Sequence, residues 1–145
     1  MSLFSAMSVS ASGMAAQRAR AEVLVENLAN SETTRTPEGG PYRRKDVVFA
    51  SDPAPSLFSS IYRASLEPVS TGVRVAGIVV DSSPPESRYL PGHPDADAKG
   101  YVRYPNVNVV EEMVNMITAS RAYEAGVTSV ESIKAMARSA LGIGR

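Results

Sequence analysis

His93 is the only histidine in the chain, and it lies in Pro91-Gly92-His93-Pro94, followed by Asp95 and Asp97. An imidazole and two carboxylates at alternate positions are a donor set that a metal ion could use. All three, however, fall within one turn. With no second histidine and no cysteine, a transition-metal shell cannot be completed. The spacing is also not that of a calcium loop. The flanking prolines restrict the backbone, so the segment is expected to be a fixed corner.

Glu111 and Glu112 are the other pair of acids that invites a chemical reading. Adjacent residues diverge around a helix and do not converge on a substrate. At the start of a helix they are expected to serve the macrodipole. Arg43-Arg44-Lys45 is the only basic run, and it reads as a solvated turn. The phosphate-loop, dinucleotide and nucleophile-elbow patterns do not occur. The residues therefore support no catalysis, no cofactor, no metal and no small-molecule substrate. Formal charge is zero, which speaks against nucleic acid as a partner. The absence of cysteine excludes disulfides and thiolate sites.

The elements that would carry these residues are set by proline. All ten prolines lie between Pro37 and Pro105. Proline breaks helix interiors, so the chain reads as two helix-compatible arms around a turn-rich insert. The expected organisation is an N-terminal helix in 1–30, an insert with short strands in 31–106, and a C-terminal helix in 107–145. The fold class is mainly α with a small β-rich lobe between long terminal helices, which pair as a coiled-coil-like hairpin.

In the first arm, Met7, Met14, Ala21 and Leu28 recur every seven residues, with Ala11, Arg18 and Val25 between them. This is a heptad seam with one charged interruption. A helix over 3–29 would be ~40 Å long. In the second arm, Asn108 with Glu111 resembles a capping box. An apolar line follows through Val109, Met113, Met116, Tyr123, Val127, Val130, Ala137 and Leu141, broken at Ser120 and Lys134. Val110, Val114, Ile117, Ile133, Met136 and Ala140 form a second flank. Such a surface is too wide for one partner stripe. The inference is an oligomer that assembles through Met7, Met14, Arg18, Val25, Leu28, Met113, Met116, Ile117, Tyr123, Val127 and Val130. Gly126, in mid-helix, costs ~1 kcal/mol relative to alanine and marks a kink, a close contact or a tolerated defect.

Within the insert, strands are expected at 42–49, 73–81, 88–90 and 100–104, with a Ser/Pro-rich loop at 51–60. Isolated ribbons are marginal in water, so this lobe should lean on the helices or on a neighbour. No run approaches the ~20 apolar residues of a membrane span. A basic-then-apolar secretory leader is also not seen.

Two segments go beyond composition. Ala11-Ser12-Gly13-Met14-Ala15-Ala16-Gln17-Arg18, continuing through Asn27-Leu28-Ala29-Asn30 to Thr36-Pro37-Glu38-Gly39-Gly40-Pro41-Tyr42-Arg43-Arg44-Lys45, resembles the N-terminal motif of bacterial flagellar rod and hook proteins. Tyr101 to Asn108, with Glu112-Met113-Val114-Asn115-Met116-Ile117 and Ser120-Arg121-Ala122-Tyr123-Glu124-Ala125, is similar to the C-terminal helix motif of that family. Its proximal rod C subtype fits best, and the Pro91-Gly92-His93-Pro94 turn matches it too. The matching motif positions include Asn27, Asn30, Thr36, Pro37, Gly39, Gly40, Tyr42, Pro105, Asn106, Asn108 and Arg121. Gly126 departs from the pattern, which usually has asparagine there.

The resemblance implies a structural subunit of the flagellar basal-body rod. It would be exported through the flagellar type III apparatus without a cleaved signal peptide and placed in the periplasmic rod. Its partners would be copies of itself, other rod subunits and the adaptor between membrane ring and rod. Two readings of other classes stand beside it. One is a secreted helical adaptor that binds partner helices, which would share the arms but not the Thr34–Tyr42 segment. The other is a small enzyme with its site in the insert, which would need a nucleophile and base that the residues do not offer.

Overall fold

A computed structural model of the chain describes residues 3–52 and 72–143. Helix α1 spans Leu3–Ala29 and helix α2 spans Val109–Ile143. Between them lie strands β1 (Lys45–Ser51), β2 (Val73–Val80), β3 (Glu86–Tyr89) and β4 (Tyr101–Tyr104). The chain is thus mainly helical with a small β insert, as the proline distribution implied. Ser51 belongs to β1, and residues 53–60 of the expected loop lie outside the described residues.

The strands form two antiparallel ribbons, β1–β2 and β3–β4. In the first, Val48 pairs with Gly77 but Phe49 with Val75, so Ala76 is an extra residue that bends the ribbon. This ribbon leans on α1. The Ser12 hydroxyl accepts a hydrogen bond from the Val73 amide (3.1 Å) and donates one to the Val9 carbonyl (2.8 Å). In the second ribbon Tyr89 and Tyr101 meet edge to face at 5.3 Å. Arg88 lies over the Tyr104 ring at 4.8 Å, and Val102 is fully buried. β1 begins three residues later than expected because the Tyr42 amide bonds to the Thr33 carbonyl (3.1 Å) and its ring is buried.

α1 and α2 pack along each other. Near the end of α1, Asn27 meets Glu112 at the start of α2. Farther back on α1, Met14 sits against Gly126. The two contacts advance in opposite senses along the chain, so the helices lie antiparallel.

Met14, on the expected heptad line of α1, meets α2 at Gly126, while burial on the two helices also takes in residues off the expected lines. On α1 the buried residues are Ala16, Val23, Leu24 and Asn27, whereas Val25 is 52% exposed. Arg18 reaches solvent and pairs with Glu22 one turn on (3.0 Å). On α2 the buried residues are Glu112, Ala119 and Ile133. Met14 needs the bare backbone of Gly126, and Asn27 needs Glu112. Steric fit and polar satisfaction thus select the paired faces, rather than the count of apolar side chains.

Candidate assembly surface and the junction that positions it

The turn after α1 is shaped by glycine. Gly39 and Gly40 both have positive φ (90° and 82°), which side chains rarely tolerate. This lets the Thr36 amide reach the Gly40 carbonyl (2.9 Å) and the Gly39 amide reach the Thr36 carbonyl (3.0 Å). The chain then returns to α1 with Tyr42, Arg44 and Lys45 in sequence.

These three residues close around Asn27, which has no solvent exposure. Its amide nitrogen donates to the Lys45 carbonyl (2.8 Å) and to Glu112 Oε2 (3.0 Å). Its oxygen accepts from the Tyr42 hydroxyl and from the Lys45 amide, both at 2.9 Å. All four hydrogen-bonding positions of the side chain are filled.

Glu112, 1% exposed, accepts from Arg44 Nε on its other oxygen (2.7 Å). The Lys45 ammonium pairs with Glu26 and lies 5.6 Å from the centre of the Tyr42 ring. Burial, then the nearby carboxylates of Glu26 and Glu112, push the Tyr42 hydroxyl up to about 12. Burial opposes the charge of Arg44, but its bond to Glu112 and the carboxylates of Glu112, Asp46 and Glu111 together outweigh this and raise its pKa.

α2 starts beside this junction. Asn108 Oδ1 accepts from the amides of Val110 (3.1 Å) and Glu111 (3.4 Å), so Asn108 is the N-cap. Beyond the cap the helix carries bare apolar side chains, concentrated in its first turns and followed on the same line by exposed Arg121 and Glu124. Val110 is 70% exposed, Val114 58%, Ile117 53% and Leu141 77%. Val109, Met113, Tyr123, Val127 and Met136 are exposed as well. Large side chains repeating at helical spacing on an open face mark an interaction surface.

The corner at 91–97 is a turn with internal bonds. His93 Nδ1 accepts from the Asp95 amide (3.1 Å), and Asp95 accepts from Thr34 (2.8 Å). The amides of Tyr101 and Lys99 bond to Asp97 and hold its carboxyl below the usual range. A cleft of about 200 Å³ nearby is lined by Arg43, Arg44, Asp81, Ser83 and Arg103. Of its two hydroxyls, that of Ser83 donates to Asp81 (2.6 Å) within a local turn and that of Tyr42 donates to Asn27 (2.9 Å).

Residues 98–143 match the family described as Flagellar basal body rod FlgEFG protein C-terminal. Over 99% of its length the chain is 48% identical to Flagellar basal-body rod protein FlgC of Borreliella burgdorferi, covering 98% of that protein. It is 39% identical to the FlgC of Salmonella typhimurium and 41% identical to that of Bacillus subtilis, each over the whole of both chains. The chain belongs to the flagellar basal-body rod protein FlgC family.

The FlgC relatives are named as rod proteins and not as enzymes, in line with the lack of any catalytic pattern in the sequence. In this FlgC-family chain the motif residues Asn27 and Tyr42 come together at the junction, with Thr36, Gly39 and Gly40 forming the turn that delivers Tyr42. Pro105 is buried and Asn108 caps α2, whereas Pro37, Asn106 and Arg121 are exposed. Asn30 donates to the Glu26 carbonyl (2.9 Å) and accepts from Thr33 (3.2 Å), ending α1.

The residues expected at the assembly surface divide into two groups. Val25, Met113, Ile117, Tyr123 and Val127 lie exposed on the helices, as does Arg18. Met7, Met14, Leu28, Met116 and Val130 are half-buried within the chain. Sequence reasoning missed Arg44 and Glu112, which it took for a solvated turn and for helix-start electrostatics. The one available signal was that both fall inside the family segments.

Proposed function

We propose that this chain is a structural subunit of the proximal rod of the bacterial flagellar basal body. Its terminal helices pair as a coiled-coil-like hairpin and assemble with copies of itself into a helical tube that transmits torque. The three-part organisation serves this role: helix 1–30 and helix 107–145 form the axial layer, and the insert 31–106 contacts neighbours outward.

The observation that carries this reading is the bare apolar face of α2, led by Val110, Val114 and Ile117. Fully burying such a side chain contributes about 1.5–3 kcal/mol, and at exposures of 53–70% a lone subunit leaves more than half of that unrealised. A contact between unlike surfaces that does not close on itself gives a filament or tube, and dense helix packing gives a shaft its stiffness. Other rod subunits, the adaptor to the membrane ring and the type III export apparatus are the further partners. The site of action is the periplasmic rod. Among the described residues, no helix is long and apolar enough to cross a membrane.

The test is Ile117→Asp in a motile strain whose own copy of the gene is replaced. The expected outcome is loss of swimming and of rods in isolated basal bodies, while the purified variant keeps its helical circular dichroism. Normal swimming would overturn the reading.

A further inference from the structure

The apolar lines of both helices repeat every seven residues: Met7, Met14, Ala21 and Leu28 on α1, and Val109, Met116, Tyr123, Val130 and Ala137 on α2. On α2 the buried residues Ala119 and Ile133 lie two heptads apart, with Gly126 midway between them. Sliding one helix past the other by seven residues again faces apolar side chains with apolar ones, except that Met14 would meet Ala119 or Ile133 in place of Gly126.

The polar cluster does not repeat. One slide sets Asn27 against Ala119, and the other sets Glu112 against Arg20. Both separate Glu112 from Arg44 and Asn27, which now hold its two oxygens at 2.7 and 3.0 Å. A buried carboxylate that loses its partner costs about 3–5 kcal/mol, above the ~1–3 kcal/mol of overpacking that a slide would cause at Met14. A single buried polar residue is known to fix register between paired helices.

We propose that Asn27, Arg44 and Glu112 form a register pin that selects one alignment of α1 against α2. They act as positioning residues: the pin sets which apolar side chains of α2 face outward beside which part of α1. Because Arg44 belongs to the insert, the same pin ties the insert to that alignment.

The test uses the full purified chain, whose lack of cysteine removes background. A Cβ on Gly126 would lie 3.9 Å from that of Met14, within disulfide range. Met14→Cys with Gly126→Cys therefore reports the observed alignment. Met14→Cys with Ile133→Cys, or with Ala119→Cys, reports the alignments one heptad away. Each disulfide forms within one chain and migrates as monomer, so the result does not depend on rod assembly.

In the otherwise unaltered chain the first pair should oxidise at least about tenfold faster than the others, and in N27L/E112L the advantage should fall to within about threefold. An undiminished advantage in N27L/E112L with helical content retained would overturn the pin, as would no advantage in the unaltered chain. If N27L/E112L loses its helical signal, the shape-conserving Glu112→Gln is measured in the same way. A reduced preference for the first pair then supports the pin, and an unchanged preference overturns it.

Discussion

Met14 occupies the space that a side chain at position 126 would need: a Cβ on Gly126 would lie 2.5 Å from Met14 Cγ. Glycine in mid-helix is thus retained against its helix propensity because it admits a methionine from the facing helix. Gly126→Ala gains ~1 kcal/mol of propensity but overpacks the contact by about 1–3 kcal/mol. The expected net effect is a loss of about 1 kcal/mol in urea denaturation. Adding Met14→Ala should remove the clash, so the two changes together should be strongly non-additive, and simple additivity would refute the contact.

Asn27→Ala should destabilise the chain by about 3 kcal/mol, since the buried groups of Tyr42, Lys45 and Glu112 lose their shared partner. Asn27→Asp should be worse, because it sets a second carboxylate beside Glu112. Urea midpoints of the two variants check the order, and equal stability would contradict the bond network.

Tyr42 gives the junction an alkaline limit. The fold raises its hydroxyl to about 12, above the value of about 10 in an unfolded chain. The native state therefore holds this proton where the unfolded state has lost it, so stability falls as pH rises. The contribution is complete below about pH 10 and is lost as pH approaches about 12. Denaturation midpoints across this window should fall more steeply for the unaltered chain than for Tyr42→Phe, and parallel slopes would contradict the assignment.

Leu28→Asp and Ile117→Asp should both block rod assembly yet differ in the free subunit. Ile117 is 53% exposed, so its change should leave stability within about 0.5 kcal/mol. Leu28 is half-buried, and its change should cost more. Thermal melts with swimming assays separate the two effects.

His93→Ala should cost about 1 kcal/mol, the worth of one local hydrogen bond, and leave swimming intact. Complete loss of motility in a folded variant would restore the metal reading of the His93, Asp95 and Asp97 corner.

The elements themselves were legible in the sequence because their causes are local. Proline placement marked the two helical arms, asparagine at 108 marked the start of α2, and alternating β-branched residues marked β2. Paired glycines at 39 and 40 marked a turn whose backbone only they readily adopt. Which faces of the helices would meet was not legible, because a seven-residue repeat is satisfied equally by several rotations and alignments. Nor was the burial of Glu112, whose partners Arg44 and Asn27 lie 68 and 85 residues away in the chain. A charge at the first turn of a helix is stable in water or against a buried cation. Only the tertiary fold, by bringing the returning strand and the end of α1 to that turn, decided between them.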